Sequence, residues 1–203
     1  MKISVIGAGG QGKTSLVKRL VSDLKIDGFD AVEVVEYARS FIEECGGVQS
    51  AWEQLEIMEG QLERERNSEK YEIVVCDITP WLAFPYATTF VDYTSKRDRY
   101  VLKRILGRAL DICHQYDHCF YLPKIFNLQA DEVRKEWAEK AAKNGVANLD
   151  GQAMQIDDKI KAFMILFDIP YTTIDATDIS ERVRFIRKTA GLVLPEKKRV
   201  PRK

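Results

Sequence analysis

Gly7-Ala8-Gly9-Gly10-Gln11-Gly12-Lys13-Thr14 spells G-x-x-x-x-G-K-T, the pattern of a phosphate-binding loop. Its context is the one the chemistry requires. Lys2-Ile3-Ser4-Val5-Ile6 before it reads as a buried strand. Ser15 to Lys25 after it reads as a helix with Leu16, Val17, Leu20, Val21 and Leu24 along one face. Glycines let the backbone curl so that successive N–H groups face an anion, and the helix adds the positive end of its dipole. Gly9, Gly10, Gln11, Gly12, Lys13, Thr14 and Ser15 are therefore the expected ATP-binding residues. Lys13 is expected to reach the β- and γ-phosphates, and Thr14 to offer its hydroxyl to Mg²⁺.

Outward from this loop the chain alternates strands and helices. Candidate strands cover residues 2–6, 31–36, 72–77, 118–122 and 170–174, each short, apolar and rich in branched or aromatic side chains. Ser50 and Glu53 make a capping-box pattern before a helix bearing Trp52, Leu55, Met58 and Leu62, and Asp178 with Glu181 repeats the idea. Lys96 to Cys113 reads as a further helix. This rhythm implies an α/β domain with a parallel sheet covered on both faces, in which ligands bind outside the carboxyl ends of the strands.

The strand ends are accordingly the places to look. Val74-Val75-Cys76-Asp77 is an apolar run closing in an acid, so Asp77 is a candidate Mg²⁺ ligand beside Thr14. Glu36 stands at the tip of the second strand, where a carboxylate can orient an acceptor hydroxyl and take its proton. Arg39, one turn on, is a candidate for the transferring phosphate, although Glu36 and Arg39 also fit a plain i,i+3 ion pair. Trp81, Phe84 and Tyr86 follow Asp77 closely enough to stack on a planar acceptor, or to serve as core. Arg97 and Arg99 fit either anion ligands or a solvated basic turn.

Pro123 to Asp150 breaks the rhythm. It is polar, rich in Lys, Glu, Asp and Asn, and reads as a helical lid closing over the phosphates, with Arg134 as its arginine. Cys113-His114 and His118-Cys119 bracket a turn, but strand alternation points the second pair apart, which suits a helix-to-strand junction better than zinc. Formal charge is zero, yet Glu196 to Lys203 holds five basic residues and one acid. Such a segment is either a solvated end or a grip on nucleic acid phosphates. The division expected is a domain over 1–194, its lid at about 123–150, and a basic tail over 195–203. With no charged leader, no apolar membrane-length run and no C-x-x-C pair, the chain is expected in the cytoplasm, away from membranes.

Gly7 to Thr14, Glu36-Tyr37-Ala38-Arg39, Asp77 after its strand, and Tyr116-Asp117 leading into 118–122 together resemble the small P-loop kinases of the nicotinamide-riboside kinase type. That resemblance implies one P-loop domain with strand order 2-3-1-4-5 and transfer of the ATP γ-phosphate to a nucleoside or nucleotide-like hydroxyl. The catalytic residues expected from the strand-end and lid readings above are Lys13, Glu36, Arg39 and Arg134. Where that group shows an Asp-rich stretch after the fourth strand, this chain has Pro123-Lys124-Ile125-Phe126-Asn127. Bacteriophages encode kinases of this size too, some phosphorylating 5-hydroxymethyluracil within DNA, and the basic tail suits such a polymer. A third possibility is a nucleotide-driven switch or ATPase without an acceptor. A GTPase is disfavoured because Ile174-Asp175-Ala176-Thr177-Asp178 stands where an N-K-x-D motif would be expected.

Overall fold

The computed structural model describes residues 1–48, 50–126 and 149–193. Five parallel strands form one sheet in the order β2-β3-β1-β4-β5. They are β1 (Lys2–Ile6), β2 (Ala31–Val34), β3 (Ile73–Asp77), β4 (His118–Tyr121) and β5 (Thr172–Thr173). The helices are α1 (Lys13–Ile26), α2 (Tyr37–Cys45), α3 (Ala51–Ser68), α4 (Ala83–Ala87), α5 (Lys96–Ile112), α6 (Leu149–Leu166) and α7 (Ile179–Thr189), with a 3₁₀ turn at Pro80–Leu82.

Strand periodicity divides the core into two layers. Ile3 and Val5 of β1, with Ile73 and Val75 of β3, pack against Leu16, Val17, Leu20 and Leu24 of α1 and Val183 and Ile186 of α7. On the other face Ile6 and Tyr121 meet Met58 and Leu62 of α3, Ile105 of α5, and Ile160 and Phe163 of α6. Burying a Leu or Ile is worth about 1.5–3 kcal/mol, so these two layers dominate the stability of the sheet.

The five expected strands and the helices expected after the loop, after Ser50, over Lys96–Cys113 and after Asp178 are present, whereas α6, which brings Ile160 and Phe163 into the core, was not read from the sequence, and boundaries differ where local chemistry intervenes. The second strand stops at Val34 because Glu36 becomes the N-cap of α2. The fifth strand is only two residues long. Ser50 and Glu53 form both halves of the expected capping box, and the Asp178 side chain accepts from the Glu181 amide at 2.9 Å. Most of the expected lid, Arg134 included, and the basic tail lie outside the described residues.

Candidate active site

Parallel strands put all their carboxyl ends on one edge, and that edge is where the chemistry-bearing side chains meet. β1 runs directly into the loop. Gly7 has φ 142° and lies so close to the chain after β4 that a Cβ there would stand 2.3 Å from the Leu122 carbonyl oxygen. Gly12, the N-cap of α1, has φ 78°, a conformation that glycine adopts without steric cost. Gly9 is exposed at the loop's crest, Gly10 half-buried, and Ser15 exposed on the first turn of α1.

Lys13 folds back over the loop, its Nζ donating to the Ala8 carbonyl at 2.9 Å. Thr14 donates from Oγ1 to Asp77 Oδ2 at 2.5 Å and accepts from Arg39 at 3.2 Å. Asp77 pairs in register with Val5 and is fully buried, yet its Oδ1 has no hydrogen-bond partner among the described residues. A buried carboxylate oxygen without a partner is costly, and it lies beside a threonine hydroxyl. That pair of hard oxygens suits Mg²⁺. Immediately after it, Ile78 holds φ 81°, an outlier for a β-branched residue, with its N–H donating to the Val5 carbonyl. Such strain, of the order of 1–2 kcal/mol, is held by the sheet edge that aims Asp77.

Glu36 faces the same space. Burial raises its pKa, Lys13 and Arg39 pull it back down, and Asp77 pushes it up. Arg39 also sits 3.8 Å from Glu36, so the i,i+3 pair exists, but the same guanidinium bonds Thr14 and is about half exposed toward the cleft. The backbone at Glu36 is fixed from α3. Arg64 donates to the Glu36 carbonyl at 3.1 Å and to Ser40 Oγ, while the Tyr37 amide donates to Gln61 at 2.7 Å.

The Tyr37 ring lies between the Arg64 guanidinium and Gly60, where a Cβ would come within 2.4 Å of Cζ. Alanine is about 1 kcal/mol better than glycine inside a helix, but here the ring must move, and overpacking costs about 1–3 kcal/mol. Gly60→Ala is therefore expected to lower the melting temperature and, by shifting Glu36, to reduce catalytic turnover. Thermal melts of the two proteins decide it, and a stabilised Gly60→Ala protein would refute the packing argument.

The aromatic residues after Asp77 separate. Trp81 is fully buried, stacked on Phe163 at 5.3 Å and 12°, so it stands in the core and not in the cleft. Phe84 is half-buried against the same Phe163 ring. Tyr86 is half-buried against the same core cluster, and burial with the negative charges of Glu36 and Asp157 raises its pKa. Arg97 sits over the Trp52 ring and Arg99 donates to the Tyr93 and Thr94 carbonyls, both on α5. Cys113 and Cys119 are buried in the core.

Several residues around the loop act through partners distant in sequence. Gln11 is wholly buried; it accepts from the Ile125 and Phe126 amides and donates to the Phe126 and Gly9 carbonyls, tying the loop to the segment after β4. Arg182, 3% exposed, donates to the Gln11 carbonyl at 2.7 Å and the Ala176 carbonyl at 2.6 Å. Asp157, also buried, accepts from the Tyr121 hydroxyl and Lys161, with Oδ1 unpartnered. The signal for Arg182 was present: it shares the apolar stripe of Val183 and Ile186, where a cation needs a reason. Gln61 likewise occupies a core position of α3.

A family model described as an AAA domain, AAA_28, matches residues 2–182. The chain belongs to that AAA-domain family. Among solved structures, the fold is similar to the NadR protein in complex with NR, with a TM-score of 0.69 at 18% identity over 96% of this chain and 52% of that one. It is also similar to deoxyadenosine kinase from M. mycoides with products dCMP and dCDP bound (TM-score 0.58, 13% identity, 95% of this chain and all of that one). Thymidylate kinase from Ehrlichia chaffeensis matches at TM-score 0.57 and 15% identity, over 94% of this chain and 98% of the other. The AAA-domain chain thus spans about half the length of the NadR chains. No curated protein matches it. The fold is that of the P-loop nucleoside and nucleotide kinases, and no described helix is long and apolar enough to cross a membrane.

Proposed function

We propose that this chain is a phosphotransferase that moves the γ-phosphate of ATP to a hydroxyl of a nucleoside-like acceptor in the cytoplasm. The observation that carries it is the chain of contacts at the carboxyl edge of the sheet, in which Arg39 reaches both Glu36 at 3.8 Å and the Thr14 hydroxyl at 3.2 Å, and Thr14 donates to Asp77 at 2.5 Å. A nucleotide switch needs the lysine, the threonine and the acid; it does not need a second carboxylate positioned over them.

In this reading Lys13 and the loop amides hold the phosphates, and Thr14 and Asp77 would hold Mg²⁺, which would supply positive charge against the phosphate oxygens. Glu36 takes the proton of the acceptor hydroxyl as its oxygen bonds to the γ-phosphorus. The bond to the bridging oxygen breaks and ADP leaves. Arg39 neutralises charge on the transferring group. Phe84 and Tyr86 flank the acceptor.

The test is γ-labelled ATP offered with a panel of free nucleosides, nucleotides and modified DNA. A labelled acceptor supports transfer. Labelled inorganic phosphate alone, whatever the acceptor, would favour an ATPase or switch, the output that AAA domains suggest. Asp77→Asn keeps an oxygen for the Thr14 hydroxyl but removes a charge from the metal site. It is expected to raise the Mg²⁺ concentration for half-maximal activity at least tenfold and to weaken MgATP binding by calorimetry. An unchanged Mg²⁺ dependence would remove Asp77 from the metal site.

A further inference from the structure

The first three turns of α5 carry a concentration of positive charge. Lys96 to Arg108 holds six basic residues against one acid in a chain of zero formal charge. Lys96, Arg97, Arg99, Lys103 and Arg104 are exposed. Among the described residues, Lys96, Arg97, Lys103 and Arg104 make no ion pair. The single acid, Asp98, is turned away, accepting from the Asp92 amide and lying under the Ser95 cap. Arg99 differs from the other four: its guanidinium holds the Tyr93 and Thr94 carbonyls.

Two aromatic rings stand in this basic field. Tyr93 and Tyr100 are 58% and 56% exposed, with Arg104 over the Tyr100 ring. At 3.6 residues per turn Lys96, Tyr100, Lys103 and Arg104 lie along one stripe, about 12 Å long. Topology sets its location. α5 ends at Ile112, just before β4 begins, and β4 is parallel to β1. The start of α5 is therefore at the carboxyl edge of the sheet, the edge that carries Lys13, Glu36 and Asp77.

We propose that this face of α5 binds a single-stranded nucleic acid, its cations on successive phosphates and its tyrosines stacked on bases. Unpaired cations answer a polyanion, and flat exposed rings between them answer bases rather than lipid tails. The contact itself is independent of the kinase reading. Only its consequence rests on that reading, namely that the acceptor hydroxyl is borne by a polynucleotide.

Binding is read by fluorescence anisotropy of a labelled 20-mer oligothymidylate, with full-length protein, no ATP, and a salt series. The wild-type protein is expected to bind, with affinity falling as salt rises. Combined K96Q, R97Q, K103Q and R104Q should weaken binding at least tenfold and flatten the slope of log affinity against log salt by about 3, at about 0.7 per cation. Tyr93→Ala with Tyr100→Ala should weaken binding about fivefold or more at an unchanged slope. All are surface changes, and thermal melts check folding.

Unaltered affinity and slope in the quadruple variant would overturn the proposal and move the contact elsewhere, the 195–203 tail included. So would a wild-type protein that ignores the oligonucleotide and binds phosphatidylserine vesicles. The free-nucleoside assay stays separate: a protein that binds DNA but phosphorylates nothing keeps this contact and loses the kinase reading.

Discussion

Replacing Lys13 by alanine is expected to reduce phosphoryl transfer by at least 10²–10³-fold, about 3–4 kcal/mol of transition-state stabilisation. The side chain is nearly buried, but it contributes little to the core. Its Nζ bonds the Ala8 carbonyl within its own loop, and the apolar residues of α1 that hold the sheet are Leu16, Val17, Leu20 and Leu24. Fold and function should therefore come apart at this position. The variant should keep its circular dichroism spectrum and melt close to the wild type while single-turnover transfer from γ-labelled ATP collapses. Lys13→Arg should not rescue it, because a planar guanidinium cannot occupy the space of a compact ammonium. A folded Lys13→Ala protein with near-normal transfer would show that the loop binds no reacting phosphate.

Glu36→Gln is expected to lower turnover by 10²–10⁴-fold, the range for a positioned proton acceptor, with ATP affinity little changed. Two further readouts distinguish a base from a structural ion pair. Turnover in the wild type should rise with pH as Glu36 ionises, and the variant should lose that limb. Stability should move oppositely. Burial raises the Glu36 pKa, so the folded protein holds this proton to higher pH than the unfolded chain does. Stability then falls as pH rises from the unfolded to the folded value, and at neutral pH the ionised, buried carboxylate costs stability. The glutamine protein should melt no lower than the wild type at pH 7, with the difference closing in acid where Glu36 is protonated in both states. Unaltered turnover would reduce Glu36 and Arg39 to the 3.8 Å surface pair.

The local patterns in this sequence were sufficient for its architecture. A glycine loop between a buried strand and an amphipathic helix, and three further strand–helix alternations, dictate a parallel sheet, because period-2 and period-3.6 burial are local properties of the chain. The same patterns placed Lys13, Thr14, Glu36, Arg39 and Asp77 at strand ends, and a parallel sheet gathers strand ends on one edge. What each of these side chains meets there was not local. Trp81 and Tyr86 look alike in sequence; the tertiary structure buries one wholly, stacked on Phe163, and leaves the other half-buried.

Gln11, Arg182 and Asp157 matter through partners 114, 171 and 36 residues away. The strain at Ile78 exists only because β3 ends against β1. The basic stripe of α5 reads as a solvated turn until the crossover into β4 puts its start at the carboxyl edge of the sheet. Hydrophobic periodicity is written along the chain and determined the fold. Desolvation, orphaned polar atoms and charges without partners depend on which segments meet in space, and those only the tertiary structure decided.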